Sequence, residues 1–149
     1  YYPVDGSQVV VIWLPLDPVG HRECLQVVRG SHLSGKWYQP VLFRNNHELA
    51  IDGPRYEPLP DVDALAAKDR LSWALSPGDC IAFHGSSLHG ATGNPTTKRR
   101  RAISTTWFGP DTHFCARPGE LEPHFAGLHY PEGSPLNDDA EFPVVWERA

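Results

Sequence analysis

The chain has 149 residues, 40% of them hydrophobic, and a formal net charge of −5. That length suits one domain, and the apolar share is ordinary for a globular fold with its own core. The negative balance argues against a general nucleic-acid-binding surface, and no apolar run approaches the roughly 20 residues of a membrane span.

Ser7–Leu16 contains Val9, Val10, Val11, Ile12, Trp13 and Leu14, a continuous apolar run rich in β-branched residues. It predicts a strand buried on both faces, ended by Asp17-Pro18-Val19-Gly20. Cys24–Val28 predicts a second short strand, closed by Gly30-Ser31, and Lys36–Phe43 a further extended piece interrupted by Pro40. Asn45–Pro60 is polar and proline-rich, hence loop. Asp61–Leu71 carries the one helix signal: Asp61 suits an N-cap after Pro60, and Ala64, Leu65, Ala66 and Ala67 are good helix formers. Ser72–Leu75 predicts a strand before the turn Ser76-Pro77-Gly78-Asp79. Cys80–His84 predicts another, with Ile81 and Phe83 on one face. Arg99–Phe108 is the last clear strand, and beyond Gly109-Pro110 the chain is loop-rich. Short strands separated by turns, with 15 prolines and 13 glycines spread along the chain, predict a mostly β sandwich or barrel in one domain, with a core over 1–108 and a tail over 109–149.

Three widely spaced cysteines, Cys24, Cys80 and Cys115, form neither a disulfide framework nor a CxxC metal motif. Each is predicted to be a small buried residue in a reducing, cytoplasmic compartment. The sequence has no methionine and opens on Tyr1-Tyr2-Pro3, without the pattern of a targeting peptide. It reads as the distal part of a longer chain.

The residues that carry chemistry lie in the second half. Pro77-Gly78-Asp79 feeds Cys80–His84; Leu88-His89-Gly90 and Asn94 follow; Arg100 stands 11 residues after His89. Upstream lie Trp13-Leu14-Pro15-Leu16-Asp17 and Cys24-Leu25-Gln26-Val27-Val28-Arg29-Gly30-Ser31-His32. In order and spacing these segments resemble the phytanoyl-CoA dioxygenase type of Fe(II)/2-oxoglutarate-dependent oxygenase, whose PGD turn, His-Gly, later arginine and PGSH turn they match over roughly Tyr1 to Phe108. The resemblance implies a double-stranded β-helix (jelly-roll, cupin-like), incomplete at its N-terminus. It also implies Fe(II) as cofactor and 2-oxoglutarate as cosubstrate, with dioxygen and a small-molecule substrate as partners. It makes His89 the distal iron ligand and Arg100 the residue that holds 2-oxoglutarate, and it puts Trp13 in the wall of that pocket.

The chemistry accounts for those residue types. A 2-His-1-carboxylate triad holds Fe(II) on one face and leaves positions open. The far carboxylate of 2-oxoglutarate needs a fixed cation, and arginine offers a planar fork that never loses its charge. If Arg100 points inward, strand alternation sends Ala102, Ser104 and Thr106 inward too, and turns Arg99, Arg101, Ile103 and Trp107 outward. Small residues beside the arginine would leave room for a ligand.

The family's HxD motif should sit just before Tyr1. The formal match His21-Arg22-Glu23 occupies a turn and is not taken as the triad. His84 is a candidate to face the cavity. His32 should stabilise its own turn, and His47, His113, His124 and His129 show no local motif. Lys98-Arg99-Arg100-Arg101 is a short basic run in an acidic chain that leads into a strand, a poor nucleic-acid patch. The resemblance implies hydroxylation with release of succinate and CO2. The alternatives are a related halogenase, which lacks the triad carboxylate, and a jelly-roll binding module or inactive fragment, which the chain would be if its iron site is incomplete.

Overall fold

The computed structural model describes residues 2–39, 41, 56–116, 130–137 and 141–147. Val4–Asp5 (β1) leads into Val9–Pro15 (β2), which alternates as its pattern allows: Val11, Trp13 and Pro15 are buried, whereas Val10 is exposed. The prediction of burial on both faces is therefore corrected, because among the described residues only one face of this strand is packed over. β2 is the centre of an antiparallel sheet between Ile81–His84 (β7) and Ala102–Phe108 (β9). Trp13 stands opposite Ile81 and Ser104, and Val11 opposite Phe83 and Thr106. Directly opposed residues share a face, so Trp13, Val11, Ile81, Phe83, Ser104 and Thr106 all project to one side.

The second sheet centres on Gln26–Val28 (β3), between Arg70–Leu71 (β6) and His89–Gly90 (β8). Val27 stands opposite both Leu71 and His89. Two lesser pairs complete the strands: β1 with His113–Phe114 (β10), antiparallel, and Trp37–Tyr38 (β4) with Tyr56–Glu57 (β5), parallel. The core unites the main sheets: Val11, Trp13, Ile81 and Phe83 from one, Val27 from the other, and Cys24 and Leu25 between. From β6 to β9 successive strands alternate between the two sheets, as in a jelly-roll.

Two sequence expectations fail between β5 and β7. Asp61 does cap, accepting hydrogen bonds from the amides of Asp63 and Ala64 at 3.0 and 3.3 Å. Instead of a helix over Asp61–Leu71, however, only single 3-10 turns form at Val62–Ala64 and Ala67–Asp69. An isolated helix this short is marginal, and Arg70–Leu71 gains more by pairing with β3. The strand expected at Ser72–Leu75 is displaced to Arg70–Leu71, leaving one bridge between Leu75 and Val19. Of the cysteines, Cys24 and Cys115 are buried, but Cys80 is exposed, correcting the expectation for that residue. Of the expected extended piece Lys36–Phe43, Trp37–Tyr38 is a strand, and Phe43 lies outside the described residues, as do His47, His124 and His129. No helix among the described residues is long and apolar enough to cross a membrane.

Candidate active site

His89 is placed by a short chain of hydrogen bonds that starts in the Gly30-Ser31-His32 turn. Gly30 adopts φ 68°, a left-handed conformation that favours glycine, and lets the backbone reverse directly after β3. The Ser31 hydroxyl then donates to the Val28 carbonyl (2.8 Å) and accepts from the Leu88 amide (2.8 Å). This fixes the residue before His89. The His89 Nδ1–H donates to the Ser87 carbonyl (2.7 Å), and the resulting tautomer carries its lone pair on Nε2, as metal-binding imidazoles require. The ring rests against Phe83, with centroids 4.8 Å apart. Burial holds its pKa below the ordinary 6.5, opposed by the bond to Ser87, so the ring is neutral at pH 7.

Arg100 lies at the entrance to β9. The loop before it is tied by Asn94, which donates to the Lys98 carbonyl (2.7 Å) and accepts from the Thr96 hydroxyl (2.8 Å). Arg101 is turned the other way and paired with Asp17. The Arg100 Nε is buried and has no hydrogen-bond partner. Its charge is close enough to lower the pKa of Cys24, although burial of that thiol dominates and raises it. Arg100 also lines a cleft of about 430 Å³ with Val19, Leu75, Glu23 and Asn94. A buried guanidinium N–H without an acceptor costs about 1–3 kcal/mol, which a carboxylate ligand would recover.

Trp13 is buried in the core cluster beside Ile81 and opposite Ser104. Ala102 and Ser104 remain exposed although they share the face of Pro15 and Trp13, so the described side chains do not fill the space under β9. His89 packs on Phe83 of the core, and Arg100 lines a cleft with Val19 of that core. His89 lies on the strand β8 that flanks β3, and Arg100 lies two residues before the strand β9 that flanks β2.

The remaining candidates separate from them. His21 Nδ1 lies 3.1 Å from the Ser72 carbonyl, while the Glu23 carboxylate accepts from the Gly20 amide at 3.1 Å, so each serves its own turn. His84 donates through Nε2 to the Ser7 carbonyl (2.7 Å) and accepts at Nδ1 from the Ser86 amide (3.1 Å), leaving neither nitrogen for a metal. Among the described residues no group of three His, Cys, Asp or Glu side chains could hold a metal ion. Sequence reasoning missed Ser31, Ser87 and Asp17 as the residues that orient the site; the Gly-Ser-His turn was the available signal for the first.

Comparison with curated proteins finds no match. Among solved structures, the chain resembles the non-heme alpha ketoglutarate dependent epimerase SnoN from nogalamycin biosynthesis, with 21% identity over 93% of this chain and 50% of that one, at TM-score 0.58. It also resembles the non-heme alpha ketoglutarate dependent carbocyclase SnoK from the same biosynthesis (22% identity, 91% and 49%, TM-score 0.59). A third is SnoN in complex with Fe3+, alpha ketoglutarate and nogalamycin RO (22%, 93% and 51%, TM-score 0.59). The chain spans about half the length of these structures, and at this identity they show the shared jelly-roll fold. The phytanoyl-CoA dioxygenase (PhyH) family model matches residues 1–102, well over half of the sequence, and the chain belongs to that family.

Proposed function

We propose that this chain carries the distal half of an Fe(II)/2-oxoglutarate-dependent dioxygenase site that hydroxylates a small-molecule substrate, with release of succinate and CO2. The observation that carries this reading is the buried, unpartnered Nε of Arg100, placed on the same core as a neutral, tautomer-fixed His89. Bound Fe(II), with 2-oxoglutarate and dioxygen, supplies the oxidising power for an unactivated C–H bond. His89 offers one iron ligand through Nε2. Arg100 receives the far carboxylate of 2-oxoglutarate through its fork and keeps its charge at every working pH. Trp13 gives the cosubstrate a flat, water-excluding wall, and Ala102 and Ser104 keep the space beside Arg100 open. Dioxygen and the cosubstrate are the partners this chemistry needs, and a cytoplasmic setting suits free thiols at Cys24, Cys80 and Cys115.

A second reading is favoured by the lack of a three-ligand group among the described residues. In it, the 149-residue chain by itself binds iron weakly and is catalytically silent, and the other two ligands of the triad are supplied by residues outside those described. Calorimetry of Fe(II) and 2-oxoglutarate binding, with succinate measured across a substrate screen, separates the two readings. Tight iron binding with succinate formation by the chain alone would show that it holds a complete site and would overturn the second. Weak iron binding, with 2-oxoglutarate still held through Arg100, supports the second. Failure of Arg100→Ala to weaken 2-oxoglutarate binding would remove the basis of both.

A further inference from the structure

A second cleft, of about 520 Å³, opens between the edge of β7 that no described strand pairs and the β3–β6 side of the other sheet. It shares only Leu75 with the cleft that Arg100 lines. We infer that this cleft seats the primary substrate and that the substrate is a small molecule with an apolar body and one anionic group. The inference rests on the oxygenase reading for its link to chemistry, but not for the binding itself.

The walls argue for the apolar body. Leu71, Trp73, Leu75 and Phe83 line the cleft, and its volume lies within the usual roughly 300–1,000 Å³ of small-molecule sites. The position argues for substrate. Two lining residues touch His89 directly: Phe83 packs against its ring, and the Ser87 carbonyl holds its Nδ1. A molecule lying along Phe83 is therefore one side chain away from the proposed iron ligand.

The charge argues for the anion. Among the described residues, Arg29 is the only Lys, Arg, Asp or Glu that lines the cleft. The ion pairs of the described residues join Lys36 to Glu57, Arg70 to Asp63 and Arg101 to Asp17, and none engages Arg29. Its backbone is fixed, since its amide donates to the Asp69 carbonyl (2.8 Å) and Gly30 turns the chain directly after it. In the resembling PGSH turn, proline stands where this chain has Arg29, so the cation is an addition to the turn and not a requirement of it. Beside it, His32 stacks on His84 with centroids 5.2 Å apart, giving the rim a flat surface.

Cys80 supplies a reporter, because it lines the cleft and is exposed while Cys24 and Cys115 are buried. Two dyes of similar apolar body test the charge: anilinonaphthalene sulfonate, which is anionic, and phenylnaphthylamine, which is neutral. Both are titrated into the protein without iron or 2-oxoglutarate, and Cys80 modification by a thiol reagent is followed. The anionic dye should bind more tightly and slow the modification. Arg29→Ala should weaken it about tenfold, the low end of what a hydrogen bond to a charged group contributes, and should leave the neutral dye unchanged. Cys80→Trp should exclude both dyes. An anionic dye that leaves the Cys80 rate unchanged, or equal responses of both dyes to Arg29→Ala, would overturn the inference. Arg29-dependent dye binding together with 2-oxoglutarate binding that Arg100→Ala does not weaken would leave the cleft assigned and remove the oxygenase reading instead.

Discussion

Asp17 grips Arg101 in a fork-to-fork pair: Nη2 lies 2.9 Å from Oδ1 and Nε 3.0 Å from Oδ2, and the Arg101 amide donates to the same Oδ2 at 2.8 Å. With Arg101 held on the outside, alternation turns Arg100 inward. The hydrogen bonds from Arg101 are the main reason the Asp17 carboxyl lies below its ordinary 3.8. A depressed carboxylate contributes stability that is complete above the unfolded-state value and lost as pH falls through the folded one. Asp17→Asn should therefore melt at a lower temperature than wild type near about pH 6, and the two melting curves should converge as pH falls below the ordinary carboxylate range. Thermal scans across that range check this.

Replacing Arg100 tests its role apart from its position. Arg100→Ala should weaken 2-oxoglutarate binding about 10–100-fold, the range of a charge-assisted hydrogen bond. Arg100→Lys should fall between, since it keeps the charge and loses the fork. Calorimetry with 2-oxoglutarate gives both values.

His89 makes a pH-dependent contribution of its own. Its pKa is lowered chiefly by burial, so the unfolded chain takes up its proton before the folded one. The contribution is complete above about 6.5 and is lost as pH falls through the lowered value. Urea midpoints should drop between about pH 7.5 and 5.5 in wild type, and drop less in His89→Gln. Equal slopes in the two proteins would show that the ring is not held neutral.

The turn that feeds β7 has proline second and glycine third, the signature of a type II turn, closed by the Asp79 amide on the Ser76 carbonyl at 3.0 Å. Gly78 has φ 107°, and an added Cβ there meets nothing within 4 Å. The cost of Gly78→Ala is thus conformational, about 1 kcal/mol or more. Gly90→Ala, also without neighbours within 4 Å and with no positive φ, should cost much less. Urea denaturation of both variants makes the comparison.

The sequence was most legible where a local pattern and a motif agreed. Val9–Pro15, Ile81–His84 and Ala102–Phe108 start and end within three residues of the predicted strands, because alternation and the flanking turns are local signals. The inward set of Ala102, Ser104 and Thr106 followed from anchoring the alternation on Arg100. Asp61–Leu71 was misread because its helix propensity is local, whereas the pairing of Leu71 with Val27 is made across the fold. Burial on both faces of β2 was misread because a continuous apolar run does not say how many faces are covered. The orienting bonds of Ser31 and Asp17 span 57 and 84 positions, and no spacing rule reaches that far.

The three consecutive arginines at the head of β9 give a redundancy of charge but only one correct address. A slip of one position along β2 would still point an arginine at the interior. It would also carry Ile103 and Trp107, now 49% and 43% exposed, to the side where Ser104 and Thr106 stand. Oil-driven burial alone would reward that mistake. The strand therefore keeps its register against its own greasier side, and the Asp17 latch is the contact that tells Arg99, Arg100 and Arg101 apart.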